Sequence, residues 1–517
     1  MTEVKRLFKV DGKPFFPLGR HRIYMGGYSV RSESEIEENL KAATLTNGNT
    51  VCMAIFWDQL EPAEGKFDFS SLDVVIKIAR KYELKLMLLW FATWKNGVMD
   101  YAPEYMKANP QRYRRVVASN GKSIWVLSSH CKANLDADTR AFTALCKHLK
   151  AVDNKEHTVI GLQVENEPGI LGSDRDYSPE AQAVFDSPVP AKLITAMKTA
   201  GKGEVYDIWQ QAGGKKSGSW PELFGAEAGE LMTTWSIATY INTVSKAGKA
   251  VYDIPMFINV WVSSINWWPV AGECYPSGSP IVKVLDIVKW FTPDVDFIAP
   301  DNPHENPRMH EAVNDKYTRD DNQLLMIEAP GGVNMMRAIS DNNAVGYFMH
   351  FDTDEAGAVI PGDKWNVELT QTMAAAIPLI LKYQGTGKIH AVVQEEGMGF
   401  HGFIGTQMDF DGYLGLIEFS EPIIHGAGLI FHVSKKEFYL VGVNYRVMLR
   451  PKPPSVALLA GNDLSHPSFC NYVMRVDEGH FDKNGEYVSD CRRNGDSLRG
   501  GIWVRPSDGV VRVIMCD

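Results

Sequence analysis

The chain has no basic tract. Its 53 Lys and Arg are outnumbered by 63 Asp and Glu, for a net charge of -10. Nothing is there to neutralise a row of phosphates, which argues against nucleic acid as a partner. Cysteine is sparse. The seven residues, Cys52, Cys131, Cys146, Cys274, Cys470, Cys491 and Cys516, are odd in number, widely spaced and free of any Cys-x-x-Cys. They read as buried or free thiols rather than a disulfide frame or a zinc site, with Cys146 on a buried helical face. No apolar run is long enough to span a membrane. The start, Met1-Thr2-Glu3-Val4-Lys5-Arg6, lacks the apolar core of a secretory leader. The expectation is a cytoplasmic protein, or a periplasmic or secreted one whose leader was removed. No repeat and no low-complexity segment breaks the chain, and no Gly-rich phosphate loop follows its first apolar run. His21, His304, His310 and His350 are too dispersed to argue a metal site, and no cofactor is expected.

What is there is an ordinary globular composition, 45% hydrophobic and 22% charged, enriched in tryptophan (13 residues). Indole faces suit the C–H faces of sugar rings, although most of these tryptophans fill a core of this size. Short apolar runs alternate with amphipathic stretches: Phe15–Leu18, Thr50–Trp57, Leu84–Phe91, Thr158–Val164, Pro255–Val262, Val295–Ala299, Leu324–Ile327 and Ala344–Phe351. Helical patterns fall between them, at Ser34–Thr46, Leu72–Tyr82, Asp136–Val152, Ile281–Phe291 and Trp365–Gln384. Continuous Val/Ile/Leu/Met runs between helices imply parallel strands covered on both faces. Eight such units predict an α/β fold, a (β/α)8 TIM barrel over residues 1–385; a doubly wound sheet is the rival. The largest insertion, 169–253, holds helical Pro190–Thr199 and Leu231–Ala247 and is expected to cover part of the active face. Beyond Gly387 the texture becomes Gly- and Val-rich, with alternation at Phe438–Val443 and Val510–Met515 and turn signals at Lys483-Asn484-Gly485 and Asn494-Gly495-Asp496. Residues 386–517 therefore read as an antiparallel, β-sandwich-like domain.

The barrel model demands that chemistry sit at the C-terminal strand ends. Those ends read Arg20-His21, Trp57, Trp94-Lys95-Asn96, Asn166-Glu167, Asn259-Trp261, Asp301-Asn302, Glu328 and His350-Asp352. The fourth run enters Glu165-Asn166-Glu167-Pro168, and the seventh enters Glu328-Ala329-Pro330. A buried strand that ends in a carboxylate is costly unless the carboxylate has a partner or a task. Two glutamates on strands four and seven face each other across a barrel mouth, and two facing carboxylates are what glycoside hydrolysis requires. Glu165 and Glu167 are two apart, so strand parity puts both on one face.

Asn-Glu ending strand four with Glu ending strand seven resembles the clan of (β/α)8 retaining glycoside hydrolases. Within it, Gln163–Gly169 resembles the Gln-(Ile/Val)-Glu-Asn-Glu-x-Gly segment of glycoside hydrolase family 35, the β-galactosidases. Trp57–Phe69 and Trp90–Gly97 add further matches, the tail around Val476–Gly501 resembles the β domain of bacterial members, and family 42 shares much of the pattern. The resemblance implies Glu167 as acid/base, Glu328 as nucleophile and Asn166 as a contact to the substrate 2-hydroxyl, with Glu165 in a structural or supporting contact. Trp94 and Trp261 then stack on sugar or pack under loops, and Asn96, Asp301 and Asn302 bind hydroxyls or cap helices. For Glu61, before Pro62, shaping the second loop is favoured. Where family members carry Gly-Gly-Glu-Leu-His, this chain has Gly19-Arg20-His21-Arg22. Arg20 and Arg22 point either to an anionic sugar group or to ion pairs with acidic loops. The implied activity is an exo-acting retaining β-glycosidase, β-galactosidase first, acting on an oligosaccharide or glycoside; the alternatives are a modified or anionic oligosaccharide and a non-catalytic carbohydrate-binding barrel. The oligomeric state is open, a homo-oligomer included.

Overall fold

The computed structural model describes residues 7–22, 32–262, 269–329, 331–350, 353, 358–395, 406–419, 425–452, 472–498 and 500–516. Eight parallel strands, β1 (Leu18–Arg22), β2 (Thr50–Phe56), β3 (Lys85–Lys95), β4 (Val159–Asn166), β5 (Met256–Trp261), β6 (Phe297–Asp301), β7 (Leu325–Ala329) and β8 (Gly346–Met349), pair in chain order. β8 closes the barrel on β1. Each is followed by a helix: α1 (Glu33–Ala43), α2 (Ser70–Lys81), α3 (Lys132–Asp153), α4 (Ala228–Val251), α5 (Leu285–Phe291), α6 (Pro307–Tyr317), α7 (Val333–Ser340) and α8 (Lys364–Tyr383).

The apolar runs are continuous because both faces of each strand are buried. On β2, Cys52, Ala54 and Phe56 fill the barrel interior while Val51, Met53 and Ile55 pack under the helices. β1 begins three residues later than the apolar run predicts. Phe15 and Phe8 instead close the barrel floor, carried by a short hairpin (Lys9–Val10 with Lys13–Pro14) that turns at Asp11-Gly12. The insertion after β4 is also shorter than predicted. Leu231–Ala247 belongs to α4, the barrel's own fourth helix, where Tyr240 and Ile241 lie in the core. The inserted part carries helices at Pro179–Asp186, Ala191–Ala200 and Glu204–Gln211. Cys146 is buried in α3 as predicted; Cys470 lies outside the described residues.

The C-terminal strands form two antiparallel sheets. β9 (Ile389–Val393), β12 (Ala427–Ser434), β13 (Glu437–Val443), β15 (Val473–Phe481), β16 (Tyr487–Arg492) and β18 (Val510–Met515) make a six-stranded sheet. β10 (Thr406–Phe410), β11 (Tyr413–Phe419), β14 (Tyr445–Pro451) and β17 (Ile502–Val504) make a four-stranded one. On β13, Phe438 and Leu440 face the second sheet, while Tyr439, Val441 and Val443 join the barrel's outer core. The larger sheet is thus sandwiched between α7–α8 and the smaller sheet. Among the described residues no helix is long and apolar enough to cross a membrane.

Glu61, in the loop after β2, is fully buried. Its carboxylate accepts from Trp57 Nε1 (2.7 Å), the Gly65 N–H (2.7 Å), Tyr105 OH (3.1 Å) and Arg140 Nη2 (2.8 Å), so its role is structural. Glu61→Ala strands those donors, Arg140 on α3 among them. We expect a loss of about 3 kcal/mol in denaturant unfolding; an unchanged midpoint would contradict this role.

Candidate active site

The site is assembled where strands depart from simple alternation. On β4, Leu162 and Val164 face the helices. Continued alternation would aim Glu165 and Glu167 the same way, into the barrel. Instead both have left-handed backbones, at φ 65° and 45°. Glu165 turns behind the barrel, where its Oε2 accepts the Trp94 N–H (2.8 Å) beside Asp138 of α3. Asp138 is held by Trp90 Nε1 (3.0 Å) and Thr93 Oγ1 (2.7 Å), and Thr93 also meets Tyr240 OH (2.9 Å). Burial, then the Asp138 charge, pushes the Glu165 carboxyl far up, so it keeps its proton. The parity expectation therefore fails, because the chain direction flips at Glu165.

Glu167 turns into the mouth. Its N–H donates to Asn259 Oδ1 (2.7 Å), and its carbonyl accepts from the Gly97 N–H (3.1 Å). Asn96 and Gly97 form a tight turn with both φ positive (54° and 72°) that presses on this segment; a Cβ at Gly97 would come within 2.8 Å of Pro276. Asn259, reaching inward from β5, is the hub. Its Nδ2 donates to Asn166 Oδ1 (3.1 Å) and Asp301 Oδ2 (2.6 Å). Asn166 Oδ1 also accepts from Gln163 Nε2 (3.0 Å), and Asn166 Nδ2 approaches Asn96 Oδ1 (3.4 Å).

Glu328 is aimed by a second irregularity. β7 loses register against β8 between Met326 and Ala329. Met326 and Ala329 face the helices, Ile327 faces the interior, and Glu328 enters the mouth. There His350, directly after β8, places Nε2 3.3 Å from Glu328 Oε1 and 3.2 Å from His21 Nδ1. Lys95, whose ammonium stands 5.1 Å from the centre of the Phe91 ring, lies among Glu167, Glu328 and Asp301.

The two glutamates titrate in opposite directions. Burial raises Glu167 to about 7, with Lys95 opposing and Glu328 reinforcing. Burial also acts to raise Glu328, but His21, the His350 hydrogen bond and Lys95 outweigh it and bring Glu328 down to about 2. Burial takes His21 down to about 3, so it is neutral at pH 7, and the His350 contact and Lys95 carry the effect there. Asp301 is pushed far up, by burial first and then by both glutamates. It lies in hydrogen-bond contact with Glu167, an arrangement that needs a proton between the two carboxyls.

Glu167, Glu328, Asn166, Asn96, Asp301 and His21 thus converge on one mouth. Trp261, two residues beyond Asn259 on the same face of β5, is half-buried at its rim. Trp94 does not reach the mouth. It is fully buried behind β3, edge-on to Tyr240 with ring centres 4.9 Å apart. Arg20 does not either. It is 1% exposed, and its neighbours Val51 and Met349 in the strand ladder belong to the helix-facing core, so parity puts it behind the barrel. Asn302 neither reaches the mouth nor caps α6, whose N-cap is Asn306; it is tied to the side of that helix, donating to the His310 carbonyl (2.9 Å) and Asn314 Oδ1 (3.0 Å). The side chain of Arg22, and Asp352, lie outside the described residues. Sequence reading left Lys95 and Asn259 as mere strand-end residues and set His350 aside as dispersed. The signal for Lys95 was a cation closing a strand whose interior, Leu86–Ala92, is wholly apolar.

Residues 29–212 match a family model described as Beta-galactosidase, that of glycoside hydrolase family 42. The match includes Glu167 and ends before Glu328. Residues 371–505 match a model described only as a domain of unknown function. No curated protein matches the chain. Among solved structures, the chain is similar to a β-galactosidase from the psychrophilic Marinomonas ef1 (13% identity, 71% of this chain and 60% of that one, TM-score 0.48). It is similar also to a polyextremophilic β-galactosidase from the Antarctic haloarchaeon Halorubrum lacusprofundi (15% identity, 70% and 58%, TM-score 0.48). A third is the catalytic domain of a β-amylase from Paenibacillus polymyxa (11% identity, 68% and 96%, TM-score 0.45). The chain thus spans less than two thirds of the two β-galactosidases.

The raised Glu167 makes a stability prediction. Because its folded pKa lies above the unfolded value of about 4.3, the folded protein holds the extra proton, and stability falls as pH rises from about 4 to about 7. Glu167→Gln removes that loss. Its melting temperature should exceed that of the wild type by more at pH 8 than at pH 5; an equal difference at both pH values would show that Glu167 is not raised.

Proposed function

We propose that the chain is an exo-acting retaining β-glycosidase, with β-galactosidase the foremost activity, hydrolysing terminal sugars of oligosaccharides or glycosides. The observation that carries this is the opposite titration of two glutamates at one barrel mouth, Glu167 near 7 and Glu328 near 2. At neutral pH one carboxyl is a competent acid and the other a carboxylate, as double displacement needs. Glu328 attacks the anomeric carbon while Glu167 gives its proton to the departing oxygen. Glu167, now ionised, takes a proton from water, which attacks the same carbon and frees Glu328. No metal or organic cofactor takes part in this scheme.

Asn166 is the residue we assign to the 2-hydroxyl, with Asn96 beside it and Trp261 as the rim aromatic. His21 and Asp301 act on the substrate through the carboxyls they adjoin. Within the clan, the matched model favours family 42; the Gln163–Gly169 segment is what speaks for family 35. An anionic substrate loses its main support with Arg20 behind the barrel.

Three measurements test the reading. Glu328→Gln should retain the fold and lose about 10⁴-fold in turnover of nitrophenyl β-galactoside; unchanged activity refutes the nucleophile. NMR of the first-formed product should give the β-anomer, and a bound-sugar structure should give carboxyl groups about 5–5.5 Å apart; inversion, or a separation near 8 Å, refutes retention. For kcat/KM, the acidic limb should lie below pH 4 and the basic limb near pH 7, since Glu328 must be ionised and Glu167 protonated. Glu167→Ala assayed on an activated aryl glycoside should lose the basic limb; its persistence refutes the acid/base assignment.

A further inference from the structure

His21, Glu328 and His350 come from three strands that are neighbours only because the barrel closes, with β8 lying between β7 and β1. His21 Nδ1, a Glu328 oxygen and His350 Nε2 all lie within 4.8 Å of one another. Among the described residues, no other group of His, Cys, Asp and Glu meets that condition. The separations are 3.2 Å between the two imidazole nitrogens and 3.3 Å from His350 Nε2 to Glu328 Oε1. A cation bonded to nitrogen and oxygen at about 2.0–2.1 Å leaves its ligand atoms about 2.8–3.4 Å apart, from octahedral to tetrahedral angles. Two of the three separations therefore already match coordination, and the third, between His21 and Glu328, lies within 4.8 Å. Direct hydrogen bonding is less complete, because His350 Nε2 faces two neighbours and carries at most one proton.

We propose that His21, Glu328 and His350 form a binding site for a divalent transition-metal ion of the zinc class, and that the bound ion holds Glu328 and blocks its attack on substrate. This second half rests on the glycosidase reading. Two imidazoles and one carboxylate suit zinc, cobalt, nickel or copper, whereas magnesium and calcium take oxygen ligands. Lys95 stands beside the site. Its ammonium opposes every cation alike, so the selectivity of the site rests on the two imidazole nitrogens. Three protein ligands leave the remaining coordination positions to water or to a sugar hydroxyl from the mouth, as in open metal sites. Coordination replaces any proton between these atoms and changes no oxidation state.

The test is calorimetric titration of the full chain with zinc chloride, and with magnesium chloride as control, alongside visible absorption after cobalt(II) addition. The wild type should bind one zinc, show cobalt d–d bands and ignore magnesium. His350→Ala and Glu328→Gln, each checked for fold by circular dichroism, should weaken zinc binding at least about tenfold. His350 is partly exposed and Glu328→Gln is nearly isosteric, so both variants should fold. Absence of zinc binding, or zinc binding unchanged in both variants, overturns the site. Zinc should also inhibit glycoside turnover reversibly by chelation, and zinc-loaded enzyme turning over at the full rate overturns the blocking role. A chain that binds zinc through these residues yet hydrolyses no glycoside keeps the site and sinks the glycosidase reading instead. A chain that hydrolyses but binds no zinc does the reverse.

Discussion

The site depends on a backbone constraint at the end of β4, where Glu165 and Glu167 both adopt left-handed conformations. Each costs on the order of 1–2 kcal/mol for a residue with a Cβ. The cost is offset by bonds that exist only in this geometry. The Trp94 N–H fixes the first carboxyl behind the barrel, and Asn259 and Gly97 clamp the backbone of the second at the mouth. Without the twist the two carboxyls would share one face. With it, one becomes a buried, protonated strut against Asp138 and the other a titrating group in the mouth.

Charge at the mouth follows from that division. Three carboxyls, one ammonium and two imidazoles crowd the mouth, and Glu167, Glu328, Asp301, Lys95 and His21 all depart from their solution behaviour. The Glu167 and Asp301 carboxyls are in contact and hold a proton between them. Glu328, across the mouth, accepts the His350 hydrogen bond instead and stays ionised, while Lys95 acts on both glutamates. The separation of the two titrations arises from who stands next to each glutamate, since burial acts to raise both.

The C-terminal sheets bear on the site indirectly. Glu395, just past β9, accepts from Arg308 Nε of α6 (2.8 Å) and pairs with Arg337 of α7. Those two helices flank β7, the strand that carries Glu328. The larger sheet buries both faces, one against these helices and one against the smaller sheet, so it braces the Glu328 side of the barrel.

The sequence by itself determined a parallel α/β architecture of eight strands, since apolar runs alternating with helices are buried as parallel strands under a helical layer, and it marked the strand ends carrying Glu167 and Glu328; a closed barrel or an open sheet was left to the tertiary structure. Periodicity also located β13 and β18, where alternation survives although both faces are buried. What it could not decide was direction. Alternation gives one face per residue only while the backbone is regular, and the left-handed turn at Glu165 and the register break in β7 set the aim of both carboxyls through local φ values and pairing. Arg20 and Trp94 sat at strand ends in the sequence yet point away from the mouth, because a strand end has two faces. His21 and His350, 329 positions apart, meet because β8 pairs with β1. That contact depends on closure of the barrel, which no local pattern encodes.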